Sequence, residues 1–286
     1  MKQKEIIELE LKANSLREKI LEMIVKANSG HLAPAFSIIE LLTVLYYKIL
    51  NINPAHPVWP ERDRFILSKG HGCAALYAIL AEKGFFPLDA LFTFCQPGSI
   101  LGSHPEMQKI PGVEASTGSL GHGLSIAVGI SLAGRFDRRD YRTFCLVGDG
   151  ECNEGSIWEA AMSASHHKLD NLTAIIDYNK LQASGTVKEV LSTHPMEEKW
   201  RAFGWKTVEV DGHNIKEVFN IFKKTPFKKG KPSAIIAHTV KGKGISFVEN
   251  EVSWHTLIPN NQEYELAKNE LRKRNAKLSS KIKKAE

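Results

Sequence analysis

Phe144-Cys145-Leu146-Val147-Gly148-Asp149-Gly150-Glu151 is the stretch that decides the fold. Four apolar residues run directly into Gly-Asp-Gly, which reads as a buried strand ending in a turn that carries a carboxylate. Glu154–Lys168 reads as a helix, and Leu172–Asp177 as a second strand that delivers Asn179. Strand, helix and strand make a βαβ unit. In a parallel sheet both strand ends lie on one edge, where open α/β folds bind their ligands. Two hard oxygen donors there suit Mg²⁺ or Ca²⁺, and Mg²⁺ usually accompanies a phosphate or diphosphate. The opening of the helix would offer N–H groups to that diphosphate. An ordinary strand-end aspartate in a tight glycine turn is the reading these residues leave open.

The rest of the chain extends the same alternation. Ile6–Lys26 has apolar residues at three- and four-residue intervals and predicts a long amphipathic helix, followed after Ser29-Gly30-His31 by another over Ile38–Leu50. Asp63–Ser68 predicts a short strand leading into Gly70-His71-Gly72, then a helix through Leu80 and a short one at Pro87–Phe94. Pro97 to Ser119 is rich in Gly, Pro and Ser, a long irregular segment of the kind that serves a site. Gly121–Phe136 is helical in pattern; Trp205–Val210 and Ala234–Ala237 read as strands around an Ile215–Phe222 helix. Gln182–Pro195 reads as a loop at the edge of a site. The expected class is α/β, a mostly parallel sheet with helices on both faces. Residues 1–265 form one expected domain and 266–286 a basic helix or tail.

Composition narrows the function classes. A chain of 286 residues, 43% hydrophobic, can bury a sizeable core. Met1–Glu22 is charged and helical, unlike a secretory signal. No apolar run approaches the roughly 20 residues of a membrane span, so no membrane partner is expected. Cys73, Cys95, Cys145 and Cys152 show neither a C-x-x-C pair nor zinc spacing, the pattern of reduced thiols in a cytoplasmic protein. The net charge of +6 is partly concentrated between Lys268 and Lys284, where Leu271, Leu278 and Ile282 at helical spacing predict a solvated amphipathic helix. Without aromatic interleaving or a recognition motif, that charge does not predict nucleic-acid binding.

Four histidines stand beside glycine or proline in irregular segments: His31, His71, His104 and His122. A lone loop histidine is ordinarily just solvated. Several together suit hydrogen bonding to hydroxyls and proton transfer near neutral pH.

The segment Gly148-Asp149-Gly150-Glu151-Cys152-Asn153-Glu154-Gly155, continued through Trp158-Glu159-Ala160-Ala161 to Asp177-Tyr178-Asn179-Lys180-Leu181-Gln182, resembles the thiamine diphosphate motif of transketolases. A signature of this length is far more specific than a short glycine pattern. The resemblance runs from about Ser15 to Asn261, and is closer to the N-terminal subunit of split, two-chain transketolases. It implies a thiamine diphosphate-binding domain. Mg²⁺, or Ca²⁺ or Mn²⁺ in its place, would be bound by the side chains of Asp149 and Asn179 and the carbonyl of Leu181. Gly148 and Gly150 would let the backbone approach the diphosphate.

By the same resemblance, Gly118, Ser119 and Leu120 contact the aminopyrimidine, with Ser119 as a plain helix N-cap the alternative. His31, His71 and His104 line the channel above the thiazolium and contact substrate hydroxyls. His255, in Ser253-Trp254-His255, lies near the diphosphate and the substrate carbonyl; His71 and His255 count as cofactor contacts as well as catalytic residues. Glu154 matches a carboxylate that links two cofactor sites, its alternative being a first-turn glutamate favoured by the helix dipole. His122 stands where the family often has Gln, with helix-start packing as its other reading. His213, in Asp211-Gly212-His213, is a weaker candidate for orienting the cofactor-side loop. One departure is plain: His31-Leu32-Ala33-Pro34 replaces the family's glycine and proline after the first histidine, which alters the channel mouth.

In full-length transketolases the glutamate that contacts N1′ of the aminopyrimidine lies in a second domain, as do most sugar-phosphate anchors. The resemblance therefore implies a C-terminal-type partner subunit carrying that glutamate, and an α2β2 heterotetramer with sites between unlike chains. The implied reaction is transfer of a two-carbon ketol unit from a ketose, usually phosphorylated, to an aldose, by default in pentose-phosphate metabolism. The α subunit of a 2-oxo acid dehydrogenase E1 shares GDG…N, but its chemistry does not explain the sugar-type histidine blocks. A 1-deoxyxylulose 5-phosphate synthase carries both domains in one chain. A non-catalytic cofactor-binding homologue remains as a different class. A nicotinamide enzyme is disfavoured because no G-x-G-x-x-G follows a strand with a ribose-binding acid beyond it.

Overall fold

All five strands expected from the apolar runs are present, and they pair in parallel in the order β1-β2-β3-β5-β4. The computed structural model describes residues 1–285. Helices α1 (Gln3–Ala27), α2 (Leu32–Phe36) and α3 (Ile39–Val44) precede β1 (Arg64–Leu67), and α4 (Cys73–Glu82) and α5 (His122–Phe136) follow it. Then come β2 (Thr143–Gly148), α6 (Gly155–His166), β3 (Leu172–Tyr178), α7 (Val187–Val190) and α8 (Met196–Ala202). The chain closes with β4 (Lys206–Asp211), α9 (Ile215–Lys223), β5 (Ser233–His238) and α10 (Asn261–Ala285). Among the described residues no helix is long and apolar enough to cross a membrane.

The strands are apolar almost throughout because both faces of the sheet are covered. In β2, Phe144 and Leu146 enter one hydrophobic cluster while Cys145 and Val147 enter the other. Ile175 and Ile235 join the first cluster; Ala174, Ile176, Ala234 and Ile236 join the second. Helices α1 to α4, α9 and α10 supply the first layer, and α5, α6 and α8 the second.

Three local differences have consequences. The helix expected over Ile38–Leu50 is α only to Val44 and continues as a π turn, Leu45–Ile49, with Leu50 N–H donating to Leu45 O at 2.9 Å. A 3₁₀ turn, Glu151–Asn153, separates the Gly-Asp-Gly turn from α6. It consumes the N–H groups of Cys152, Asn153 and Glu154 on the carbonyls of Asp149, Gly150 and Glu151, so the helix does not open directly against the strand end as expected. The basic C-terminal helix is docked rather than solvated. It runs unbroken through residue 265, buries Ala267, Leu271 and Leu278, and accepts a 2.8 Å hydrogen bond from Asn14 Nδ2 of α1 at Leu271 O.

Candidate active site

All five parallel strands end on one edge of the sheet, and residues following β1, β2, β3 and β5 build a cleft there. At the bottom is Asp177, fully buried in β3. Its Oδ2 accepts from Lys69 Nζ at 2.6 Å, from Ser37 Oγ at 2.8 Å and from Asn179 Nδ2 at 2.8 Å, while Thr239 Oγ1 donates to Oδ1. Burial works to raise its pKa, but Lys69 outweighs it and holds the carboxyl below its ordinary range. These four donors come from the segments after α2, β1, β3 and β5, so one buried carboxylate ties the sheet edge together.

Above this floor sit the expected metal ligands. Asp149 is buried, with its carboxylate accepting from Gly150 N–H at 2.8 Å and from Lys180 N–H. Burial, reinforced by the nearby Asp177 charge, pushes its pKa up to about 7. Such a carboxylate is costly to ionise without a cation. Asn179 uses Nδ2 on Asp177 and accepts from Leu181 N–H at 3.0 Å through Oδ1, which fixes the amide with its oxygen on the side of the 181 loop. Leu181 lines the same cleft of about 320 Å³.

The histidines converge as expected. Ring centroids lie 5.4 Å apart for His31 and His71, 5.5 Å for His31 and His255, 5.2 Å for His71 and His255, and 6.2 Å for His31 and His104. Burial, then His104, Lys69 and Lys241, hold His31 down at about 4. Burial and Lys241 hold His255 at about 3, and burial and Lys69 keep His71 well below 6.5. These three are neutral near pH 7, each ring with one donor and one acceptor. Lys241 Nζ lies 2.9 Å from His255 Nδ1 and donates to Gln182 O at 2.9 Å. An ammonium donating to Nδ1 leaves the proton of His255 on Nε2.

The Thr117–Leu120 segment divides. Gly118 and Leu120 line the cleft; Ser119 lines an adjoining hollow of about 510 Å³ together with His104 and His122. Ser119 does not cap α5, whose N-cap is Gly121 at φ +88°. His122 is the exposed first residue of α5. Glycine at 118 is set by close approach, since a Cβ there would meet the His104 ring at 3.0 Å. Gly150 N–H is already used by Asp149, and Gly148 N–H donates to Glu151 Oε2 at 2.9 Å. A Cβ at Gly148 would meet chain atoms only at 3.7 Å or beyond, so the space beside it belongs to the cleft. Glu154 is exposed at the N-cap of α6 and lines the cleft rim. His213 lies outside the cleft. The departure after His31 becomes α2, whose Pro34 O accepts from Lys69 Nζ at 3.0 Å.

The family described as "Transketolase, thiamine diphosphate binding domain" matches residues 9–278. The chain belongs to the transketolase family. An apulose-4-phosphate transketolase subunit of Phocaeicola vulgatus is 44% identical over 270 residues, covering 94% of this chain and 96% of the relative. A 6-deoxy-6-sulfo-D-fructose transketolase subunit of Clostridium sp. (strain MSTE9) is 45% identical, covering 94% and 98%. Among solved structures, transketolase from Leishmania mexicana superposes with a TM-score of 0.84 at 28% identity, and that from Campylobacter jejuni with 0.82 at 31%. The chain spans 45% and 48% of those two transketolases. The family match sets aside the 2-oxo acid dehydrogenase alternative.

The cleft fits the transketolase cofactor on its own terms. His31 Nδ1 and Gln182 Nε2 are buried without a hydrogen-bond partner among the described residues, and both residues line the cleft. Buried polar atoms without partners mark where a polar ligand completes the structure. Two buried lysines, Lys69 and Lys241, add positive charge beside the paired oxygen donors of Asp149 and Asn179. Sequence reasoning assigned no role to Lys69, Asp177, Glu151, Gln182 or Lys241. A lysine directly before glycine in both Lys69-Gly70-His71 and Lys241-Gly242-Lys243-Gly244 was the available signal. For Glu151, which accepts from Ser68 Oγ, Gly121 N–H and Gly148 N–H, nothing in the spacing announced that it braces three segments.

Proposed function

We propose that this chain is the thiamine diphosphate-binding subunit of a two-subunit transketolase, active with a C-terminal-type partner that supplies the activating glutamate. The observation that carries this reading is the convergence of Asp149 and Asn179 with three neutral histidines, His31, His71 and His255, around one cleft.

Asp149, Asn179 and the Leu181 carbonyl would hold Mg²⁺, and Lys69 and Lys241 would face a diphosphate with positive charge. Gly118 and Leu120 would flank the aminopyrimidine. Bound thiamine diphosphate supplies the carbon nucleophile that carries a two-carbon ketol unit between sugars. His255, with its proton on Nε2, donates to a substrate oxygen. His31 and His71 bind hydroxyls and pass protons without carrying charge of their own, and His104 closes the outer side. Glu154 at the rim and the exposed Leu120, which lines the same cleft, belong to the surface that the partner chain would cover. An α2β2 assembly in the cytoplasm is part of the same reading. Relatives at 44% and 45% identity bear different substrate names, so the ketose donor is chosen by experiment.

The test is affinity purification of the tagged chain from its native extract with Mg²⁺ and thiamine diphosphate. Ketol transfer to ribose 5-phosphate is then assayed from xylulose 5-phosphate, apulose 4-phosphate and 6-deoxy-6-sulfofructose. A stoichiometric partner with transfer activity on one donor is expected. A purified complex that retains no thiamine diphosphate overturns the reading in favour of a non-catalytic homologue.

A further inference from the structure

Outside the cleft, two buried charged side chains, Arg17 and Glu40, and the partly buried His213 form a line that leads back to it. Arg17 of α1, wholly buried, donates to Glu40 Oε1 and Oε2 at 2.7 Å each and to Phe36 O at 3.1 Å. Glu40 Oε2 lies 2.9 Å from His213 Nδ1, and Val240 N–H donates to His213 Nε2 at 2.8 Å. A backbone N–H can only donate, so Nε2 is the bare acceptor and Nδ1 carries the proton given to Glu40. The direction of every bond is therefore fixed, from a guanidinium anchored in α1 to an amide one residue before Lys241.

Lys241 is the residue whose Nζ sits 2.9 Å from both His255 Nδ1 and Gln182 O. Its backbone is held on the other side by Asn250 N–H donating to Lys241 O at 2.9 Å and Gly242 N–H donating to Ala33 O at 3.1 Å. From the side of the sheet's edge strand, β4, Gly212 N–H donates to His238 O at the end of β5 at 2.8 Å, and the His213 bond then holds the segment between that end and the lysine.

We propose that His213 is a positioning residue: through the Val240 amide, with Glu40 and Arg17 behind it, it sets where Lys241 presents its ammonium to the diphosphate end of the cleft and to His255. This rests on the cofactor reading above. It predicts that His213 governs cofactor affinity more than turnover, since Lys241 would touch the bound group and the reacting carbon lies beyond it.

The test uses the assembled two-subunit enzyme with His213→Ala and His213→Gln. The glutamine keeps an acceptor for Val240 N–H beside a donor for Glu40. Binding of Mg²⁺–thiamine diphosphate is measured by calorimetry, and amide exchange across Thr239–Lys241 by mass spectrometry in the cofactor-free enzyme. Loss of one neutral hydrogen bond predicts about five- to tenfold weaker binding for His213→Ala, with kcat at saturating cofactor falling less than affinity. Exchange at Thr239–Lys241 accelerates, and His213→Gln recovers most of both. Unchanged affinity in His213→Ala overturns the proposal. So does equal loss in both variants accompanied by equal loss of thermal stability, which marks a merely structural histidine. If the wild-type enzyme binds no thiamine diphosphate, the functional reading fails. Exchange then still decides whether His213 holds the loop, and no acceleration there refutes the coupling.

Discussion

Lys69 Nζ and Asp177 Oδ2 lie 2.6 Å apart in an ion pair that is almost entirely withdrawn from solvent, and Ser37, Asn179 and Thr239 donate to the same carboxylate. Removing one partner of a buried pair leaves the other uncompensated, at a cost of about 3–5 kcal/mol. Asp177→Asn is expected to lower unfolding free energy by roughly 3 kcal/mol. Adding Lys69→Met should restore part of it. Urea titration of the two variants measures this; a stable single variant would mean that Lys69 is satisfied by Pro34 O and Ser37 alone.

Asp149→Asn separates ligand chemistry from folding. Affinity for thiamine diphosphate in the presence of Mg²⁺ should fall roughly 100-fold or more, as loss of a metal-organising group does. The metal-free chain should be no less stable, because a carboxyl raised to about 7 binds its proton more tightly folded than unfolded. Such a group weakens the fold as pH rises from 3.8 through 7. The gain in melting temperature on replacing it with asparagine is therefore expected at pH 8 and absent at pH 4. Equal gains at both would show that the Asp149 charge is not what the fold resists.

His71→Ala should depress kcat/KM about 100-fold, the scale of a lost general acid–base or positioning group. The melting temperature should shift by only a few degrees. Steady-state rates recorded beside thermal melts distinguish this from collapse of the cluster, in which activity and stability would fall together.

Gly118→Ala should disturb His104 rather than the core. The new Cβ would stand 3.0 Å from His104 Cδ2 and 3.2 Å from Cγ, at φ +156°. A stability loss of about 1 kcal/mol is expected. The activity loss should be absorbed when His104→Ala is combined with it, since both act on one ring. Fully additive activity losses would place the effect of Gly118 elsewhere, at the aminopyrimidine.

The five strands, their parallel pairing and the site edge were legible because fully covered strands must be apolar throughout, and a βαβ unit places successive strand ends on one side. Asp149 and Asn179 could be placed at the site edge because a long motif spans the ends of two successive strands, whereas His31, His71, His104 and His255 were singled out by separate short blocks that resemble the family. Tertiary structure alone decided the rest. It placed Asp177 beneath Asp149 and Asn179, where it binds donors from residues 37, 69, 179 and 239. It brought Lys241 onto His255 and, through Val240, onto His213, Glu40 and Arg17. It also docked the basic C-terminal helix on α1 instead of leaving it in water. Local sequence encodes periodicity and turn chemistry over a few residues. The partner of a buried charge is chosen by which strand ends meet, and that is settled only when the sheet is assembled.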